Sequence, residues 1–178
     1  MKKLILTVFL SLFAANIGFA QTAKEANAAD VSSLDVIMKS IYDVISGDAA
    51  KQRDWDRFRS LFAGDARLIP VRKDPQNGSF APHAYTPEEY VQRATPMMAK
   101  DGFFERESAR RVEQYGHIAH VFSTYESRHA LADKTPFARG INSFQLFFDG
   151  KRWWVVTIYW DAETPDNLIP EKYLKSGK

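Results

Sequence analysis

The chain has 178 residues, 45% hydrophobic, 26% charged and 13% aromatic, and it contains no cysteine. That length suits one compact domain, and the composition excludes a wholly disordered chain, disulfides, thiolate metal sites and a cysteine nucleophile. The formal charge of +2 comes from Lys2 and Lys3; the remaining 22 basic and 22 acidic side chains imply no general attraction to nucleic acid or anionic membrane.

Met1-Lys2-Lys3 is a short positive head, Leu4 to Phe13 is almost continuously apolar, and Gly18-Phe19-Ala20 places small residues before a cleavage point. This pattern predicts a signal peptide over residues 1–20, cut between Ala20 and Gln21. The run is too short to span a bilayer, which needs about 20 apolar residues. The mature chain is therefore expected to be periplasmic or secreted, with no membrane anchor after cleavage. Residues 21–32 read as a flexible leader, 33–163 as the domain, and 164–178 as a carboxy-terminal tail.

Leu34, Ile37, Met38, Ile41 and Ile45 recur at helical offsets behind the possible caps Ser32 and Ser33, and Gly47 closes that helix. A second helix is predicted behind the cap Asp54, with Trp55, Phe58 and Phe62 on one face and Gly64 as its stop. Residues 66–71 read as a strand and 72–85 as a loop. Thr86-Pro87-Glu88-Glu89 combines a cap, a first-turn proline and a capping-box glutamate, with Pro96 expected to end or kink that helix.

Strands follow. Residues 103–113 are charged and suit a partly exposed strand, with the sign-alternating run Glu105 to Arg111 read as solvated. Residues 117–129 put Ala119, Val121, Ser123 and Tyr125 on one side and His120, Phe122 and Thr124 on the other. Residues 140–161 form two β-rich runs around Asp149-Gly150, the expected two-residue hairpin turn. One hairpin face would then hold Ser143, Gln145, Trp154, Ile158 and Trp160. The other would hold Phe144, Leu146, Phe148, Trp153, Val155 and Tyr159. Helices followed by a meander of strands indicate an α+β domain.

Three stretches carry a resemblance to a known family: Asp54-Trp55-Asp56-Arg57-Phe58 through Leu68, Val121 to Glu126, and Gly140 to Leu146 with Asp149-Gly150 and Trp154 to Trp160. Over residues 33–163 the chain resembles the nuclear transport factor 2-like superfamily, also called SnoaL-like or cystatin-like α+β cones. The resemblance implies three amino-terminal helices packed on a strongly curved antiparallel sheet that encloses a cone-shaped pocket. It further implies that Ser143, Gln145, Trp154 and Trp160 look into the cone, joined by Ser123 and Tyr125, with Tyr42, Trp55 and Phe58 contributed by the first two helices.

The resemblance does not carry over a reaction. The place where the similar ketosteroid isomerases bear their basic aspartate falls at Ile69 or Pro70, neither of which accepts a proton. The histidines His83, His117, His120 and His129 form no evident set, and His117 and His120 lie on opposite strand faces. Catalytic residues are left unassigned, and neither a metal nor a cofactor is expected. The sequence thus leads to an exported protein that binds a small, mostly apolar ligand. The alternatives are a lyase, isomerase or hydrolase acting on a small hydrophobic substrate, or a protein-interaction module. A homodimer through the sheet is expected, built on the face bearing Phe144, Leu146 and Trp153, unless the tail folds back to cover it.

Overall fold

The computed structural model describes residues 25–177, and the expected signal segment lies outside the described residues. Part of the leader is helical: α1 (Ala28–Val31) starts behind Asn27, whose side chain accepts the Ala29 N–H at 3.0 Å. What holds it is Asp30. Its carboxylate accepts bonds from Arg57 Nε at 2.9 Å, Arg57 Nη2 at 2.7 Å and Ser40 Oγ at 3.0 Å. The Arg57 contact holds this carboxyl below its ordinary range, and Val31 is buried beside it.

Helix α2 (Leu34–Ile45) begins as its pattern predicts, with Ser33 Oγ accepting the Val36 N–H, and it buries Ile37, Met38, Ile41, Val44 and Ile45. Helix α3 (Trp55–Ser60) is capped by Asp54, which accepts the Arg57 N–H at 2.9 Å. It is shorter than expected. Phe62 already belongs to strand β1 (Phe62–Lys73), so Gly64 lies in a strand and stops no helix. The Phe62 ring still packs 4.7 Å from Phe58, which is why the apolar spacing reads as one helix. After the short strand β2 (Phe80–Pro82), the capping box of Thr86 and Glu89 starts α4 (Pro87–Asp101). Pro96 does not end it. The proline and Gln92, whose carbonyl loses its partner there, are both exposed to water, while Val91, Ala94 and Met98 are buried on the opposite side.

Strands β3 (Phe104–Tyr115), β4 (Ile118–Arg128), β5 (Ala138–Phe148) and β6 (Trp153–Ala162) complete a six-stranded curved sheet in the order β2-β1-β6-β5-β4-β3. It is mixed, because β1 joins β6 in parallel. The hairpin pairs Phe148 with Trp153, so the loop is four residues and its tip is Gly150-Lys151. Asp149 organises it, accepting the N–H groups of Lys151 and Arg152 and the Trp154 indole N–H, each at 2.8 Å.

The inner face differs from the expected one. Asn142, Phe144 and Leu146 of β5 point to the helices together with Trp153 and Val155 of β6, while Ser143, Gln145 and Phe147 point outward. Between Gln145 and Leu146 the register slips, leaving Val156 without an opposed residue. One extra residue reverses the alternation, so Ile158 and Trp160 also face inward. Trp160 therefore lies inside as expected, but for a reason the regular alternation does not contain.

The proposed dimer face is thus largely core: Phe144, Leu146, Trp153 and Val155 are each 7% exposed or less. The tail folds back as well, but over the opposite, outer face of the sheet and not over the Phe144 and Leu146 face that the expected alternative had it cover. Tyr173 of a 3-10 turn (Glu171–Tyr173) sits 5.0 Å from the Phe122 ring, and its carbonyl accepts the Thr124 hydroxyl. Further on, Gly177 donates its N–H to the Arg110 carbonyl at 3.1 Å, along the outer edge of β3.

Arg53, only 6% exposed, holds the α2–α3 connection from within. Its guanidinium donates to the carbonyls of Ile45, Gly47, Asp48 and Lys51 at 2.5–3.1 Å. Substituting methionine strands several of these acceptors in a space that Arg53 excludes from water. Arg53→Met should lower the unfolding free energy by about 3 kcal/mol in urea titrations. A loss below about 0.5 kcal/mol would mean that the loop holds itself.

Candidate functional site

Helices α2, α3 and α4 close the concave side of the sheet over a cavity of about 200 Å³. Its walls are apolar and aromatic: Ile41, Ile45, Phe58, Leu68, Tyr90 and Trp160 on the helix and β1–β6 side, with Phe103, Phe137 and Phe144 opposite. Phe58 and Tyr90 stack at 5.4 Å, and Tyr90 meets Trp160 edge-on at 6.5 Å. Phe137, 50% exposed, forms part of the rim, stacked on His129 at 4.1 Å.

The polar groups converge at one end. Glu105 and Glu107 of β3 are opposed to Ser127 and Tyr125 of β4 and share their inward face. Ser127 Oγ donates to Glu105 Oε2 at 2.7 Å, and the Asn142 amide approaches Glu105 Oε1 at 3.4 Å. Asn142 also donates to Tyr42 Oη at 3.1 Å, Tyr42 Oη lies 2.7 Å from Ser123 Oγ, and Ser123 donates to Glu107 Oε2 at 2.5 Å. Arg110 closes the chain on Glu107 Oε1 at 2.5 Å.

Proton order follows from these partners. Ser123 has a single hydroxyl proton and gives it to Glu107, so Tyr42 must donate to Ser123 and accept from Asn142. The Tyr42 hydroxyl is therefore committed within the protein and cannot also donate to a ligand. Burial pushes the Tyr42 hydroxyl far above its usual range, reinforced by the nearby Glu105 charge; the same causes raise Tyr90 and Tyr125. Burial likewise raises Glu105, to about 7, against the opposing hydrogen bonds from Ser127 and Asn142. Glu105 is the group in this cavity able to exchange a proton near neutral pH.

Gly140 shapes the site from below. A Cβ there would come within 2.5 Å of the Tyr125 hydroxyl and 2.3 Å of the Asp161 carbonyl, so only glycine lets the Tyr125 ring lie across β5.

Of the residues singled out from sequence, Tyr42, Phe58, Tyr125 and Trp160 line the cavity, and Ser123 lies just behind it in the hydrogen-bonded chain. Trp55 packs edge-on against the far side of Phe58 at 5.5 Å, outside the cavity. Three others face the convex side. Ser143 bonds His120 at 3.0 Å, Gln145 is exposed, and Trp154 lies beneath the Arg152 guanidinium at 3.6 Å, tied to Asp149. The face that the resemblance implies as the pocket wall is turned outward along β5 and the start of β6, because Phe144, Leu146, Trp153 and Val155 carry the larger buried apolar surface to the helices. The sequence reading missed Glu105, Asn142, Ser127 and Tyr90. Asn142 was legible, since it alternates with Phe144 and Leu146. Glu105 was not, because acids and arginines alternate along β3 and a bulge at Ser108 breaks the parity.

No family model matches the chain, and no curated protein matches it. Solved structures do. A protein of unknown function with a cystatin-like fold from Nostoc punctiforme is 15% identical, covering 79% of this chain and 96% of its own, with a TM-score of 0.55. An NTF2-like protein of unknown function from Pseudomonas putida is 12% identical over 82% of this chain and 96% of its own, at 0.55. Another, from Silicibacter pomeroyi, is 14% identical over 74% and 94%, at 0.50. The fold is the nuclear transport factor 2-like α+β cone. At this identity the likeness defines architecture and leaves the chemistry to the residues themselves.

The raised Glu105 carboxyl has a signature in stability. A carboxyl whose folded value exceeds its unfolded one contributes stability at low pH, which is lost as pH rises through 4.5 toward 7. Relative to Glu105→Gln, the wild-type protein should lose on the order of 3 kcal/mol between pH 4 and pH 8. Parallel unfolding curves for the two proteins across that range would show a Glu105 that is hydrated and ordinary.

Proposed function

We propose that the protein binds a compact, largely apolar small molecule in the cone cavity, with one polar end of the ligand directed at Glu105 and Asn142. The observation that carries this reading is a partly open cavity walled by aromatic rings, with its polar groups gathered at one end. An apolar cavity of about 150 Å³ accommodates benzene, so about 200 Å³ suits a one-ring ligand with a short substituent. The corresponding experiment uses phenol and indole as probes, followed by nuclear magnetic resonance. Saturable shifts are expected at cavity residues, weakened at least tenfold by the cavity-filling substitution Ile45→Phe. Absence of binding, or binding indifferent to Ile45→Phe, would overturn the reading.

A second reading is an acid–base enzyme, favoured specifically by Glu105. A carboxyl raised to about 7 can both take and return a proton at neutral pH. It stands where the sequence comparison with the isomerases does not look, on β3, while the β1 position that points inward is the apolar Leu68. Turnover of a small carbonyl or hydroxyl substrate that Glu105→Gln abolishes, with binding retained, would move the protein into this class.

Export and self-association belong to the same proposal. The signal pattern of residues 1–20 supports delivery to the periplasm or medium. A dimer would use what the tail leaves uncovered on the convex side, where Ile118, Phe147 and Tyr159 are 61%, 41% and 43% exposed. Light scattering with intact-mass measurement on the exported protein reads both: a dimer of chains beginning at Gln21 is expected. Chains retaining residues 1–20 would refute cleavage after Ala20, absence of the chain from periplasm and medium would refute export, and a monomer at tens of micromolar would refute pairing.

A further inference from the structure

Resting on the cone cavity as the ligand site, a narrower conclusion concerns the charge of its ligand. Glu107, which shares the inward face of β3 with Glu105, is matched by Arg110, and Glu126 on β4 by Arg106 and Arg128. Glu105 is not. Its hydrogen-bond partners are the neutral side chains of Ser127 and Asn142, and no ion pair reaches it among the described residues. A desolvated carboxylate without a countercharge is costly, and a ligand that supplies the charge recovers that cost. The cavity around it is lined by Tyr90, Phe103, Tyr125, Phe137 and Trp160, whose ring faces attract cations. Tyr42 cannot donate outward; the Tyr90 and Tyr125 hydroxyls remain as neutral groups on the wall, and Glu105 is the one carboxylate among the residues lining the cavity.

We infer that the cone cavity selects a small organic cation, a protonated amine on a one-ring or short alkyl body, whose ammonium pairs with Glu105 inside the aromatic walls. An amine fixes Glu105 in its ionised form, so its affinity rises with pH until the carboxyl is fully ionised and falls again only where the amine itself loses its proton. The titratable groups facing Glu105 are Tyr42 from α2, Tyr90 from α4, Tyr125 from β4 and, along its own strand, Glu107 bound to Arg110. The three phenols stay neutral through this range. His129 stacks on Phe137 at the rim, and a dependence due to it would survive removal of Glu105.

Isothermal titration with benzylamine, benzyl alcohol and benzoate separates the possibilities, since the first two share a ring and a one-carbon arm. At pH 8 benzylamine should bind at least tenfold more tightly than benzyl alcohol, with benzoate weaker than either. Benzylamine should weaken about tenfold or more between pH 8 and pH 5, and benzyl alcohol should not. Glu105→Gln should remove both the preference and the pH dependence, leaving benzylamine no tighter than benzyl alcohol. Benzyl alcohol binding as well as or better than benzylamine in the wild-type protein would overturn the cation while leaving the pocket intact. Failure of all three ligands would overturn the pocket reading itself. If Glu105→Gln does not fold, the wild-type preference and its pH profile decide alone, and a flat profile refutes the pairing.

Discussion

A single unopposed residue in β6 makes this core possible. Regular alternation from Trp153 to Trp160 would send Trp153 and Val155 to one side and Ile158 and Trp160 to the other. The bulge at Val156 turns the second pair back inward, so one face of β6 is apolar along its whole length. Bulges also bend a strand and increase its twist, which is what a sheet needs in order to wrap around helices. Curvature and a continuous inner surface thus have one origin. A similar break at Ser108 in β3 lets Glu105 and Glu107 face inward near the mouth while Arg110 returns to the same face to meet Glu107.

Much of this architecture was legible in the chain, and the exceptions have identifiable causes. Caps are local chemistry, so Ser33, Asp54 and Thr86 mark their helices directly. Strand β4 reads correctly because nothing interrupts its alternation, and Ser123 and Tyr125 were rightly placed inside. Register is different. It depends on partners distant in sequence, and an extra residue in one strand is silent until the other strand is laid beside it. The hairpin tip shows a milder form: Asp149-Gly150 advertises a two-residue turn, yet the Asp149 side chain binds the Lys151 and Arg152 amides and moves the tip onward. Ser123 and Tyr125 lie on the face that alternation within β4 gives them, whereas Ser143, Gln145 and Trp154 lie outside because the hairpin turns its Phe144 and Leu146 side to the helices.

The interior polar groups divide into two kinds. The chain from Asn142 through Tyr42 and Ser123 to Glu107 is internally satisfied, with each proton assigned by its neighbours, and it is anchored at the rim by Arg110. Such a network fixes geometry and offers little to a visitor. Glu105 stands at its border, sharing Asn142 with it but lacking a cation. The division separates the part that maintains the cone from the part that faces its contents.

The last residues of the tail have a consequence for the behaviour of the molecule among its own copies. Strand β3 is the outermost strand of the sheet, and an unpaired strand edge is a template on which other chains can grow. Ser46 occupies the edge near Glu105, donating to and accepting from its backbone, and Ser176 and Gly177 occupy it at Arg110. At the opposite margin β2 is three residues long and carries Pro82. Neither margin offers a long run of free amides, so ribbons of stacked sheets have no place to start. The carboxy terminus acts here as a selvage, and cargo fused to it would tug at the hem that keeps neighbouring molecules apart.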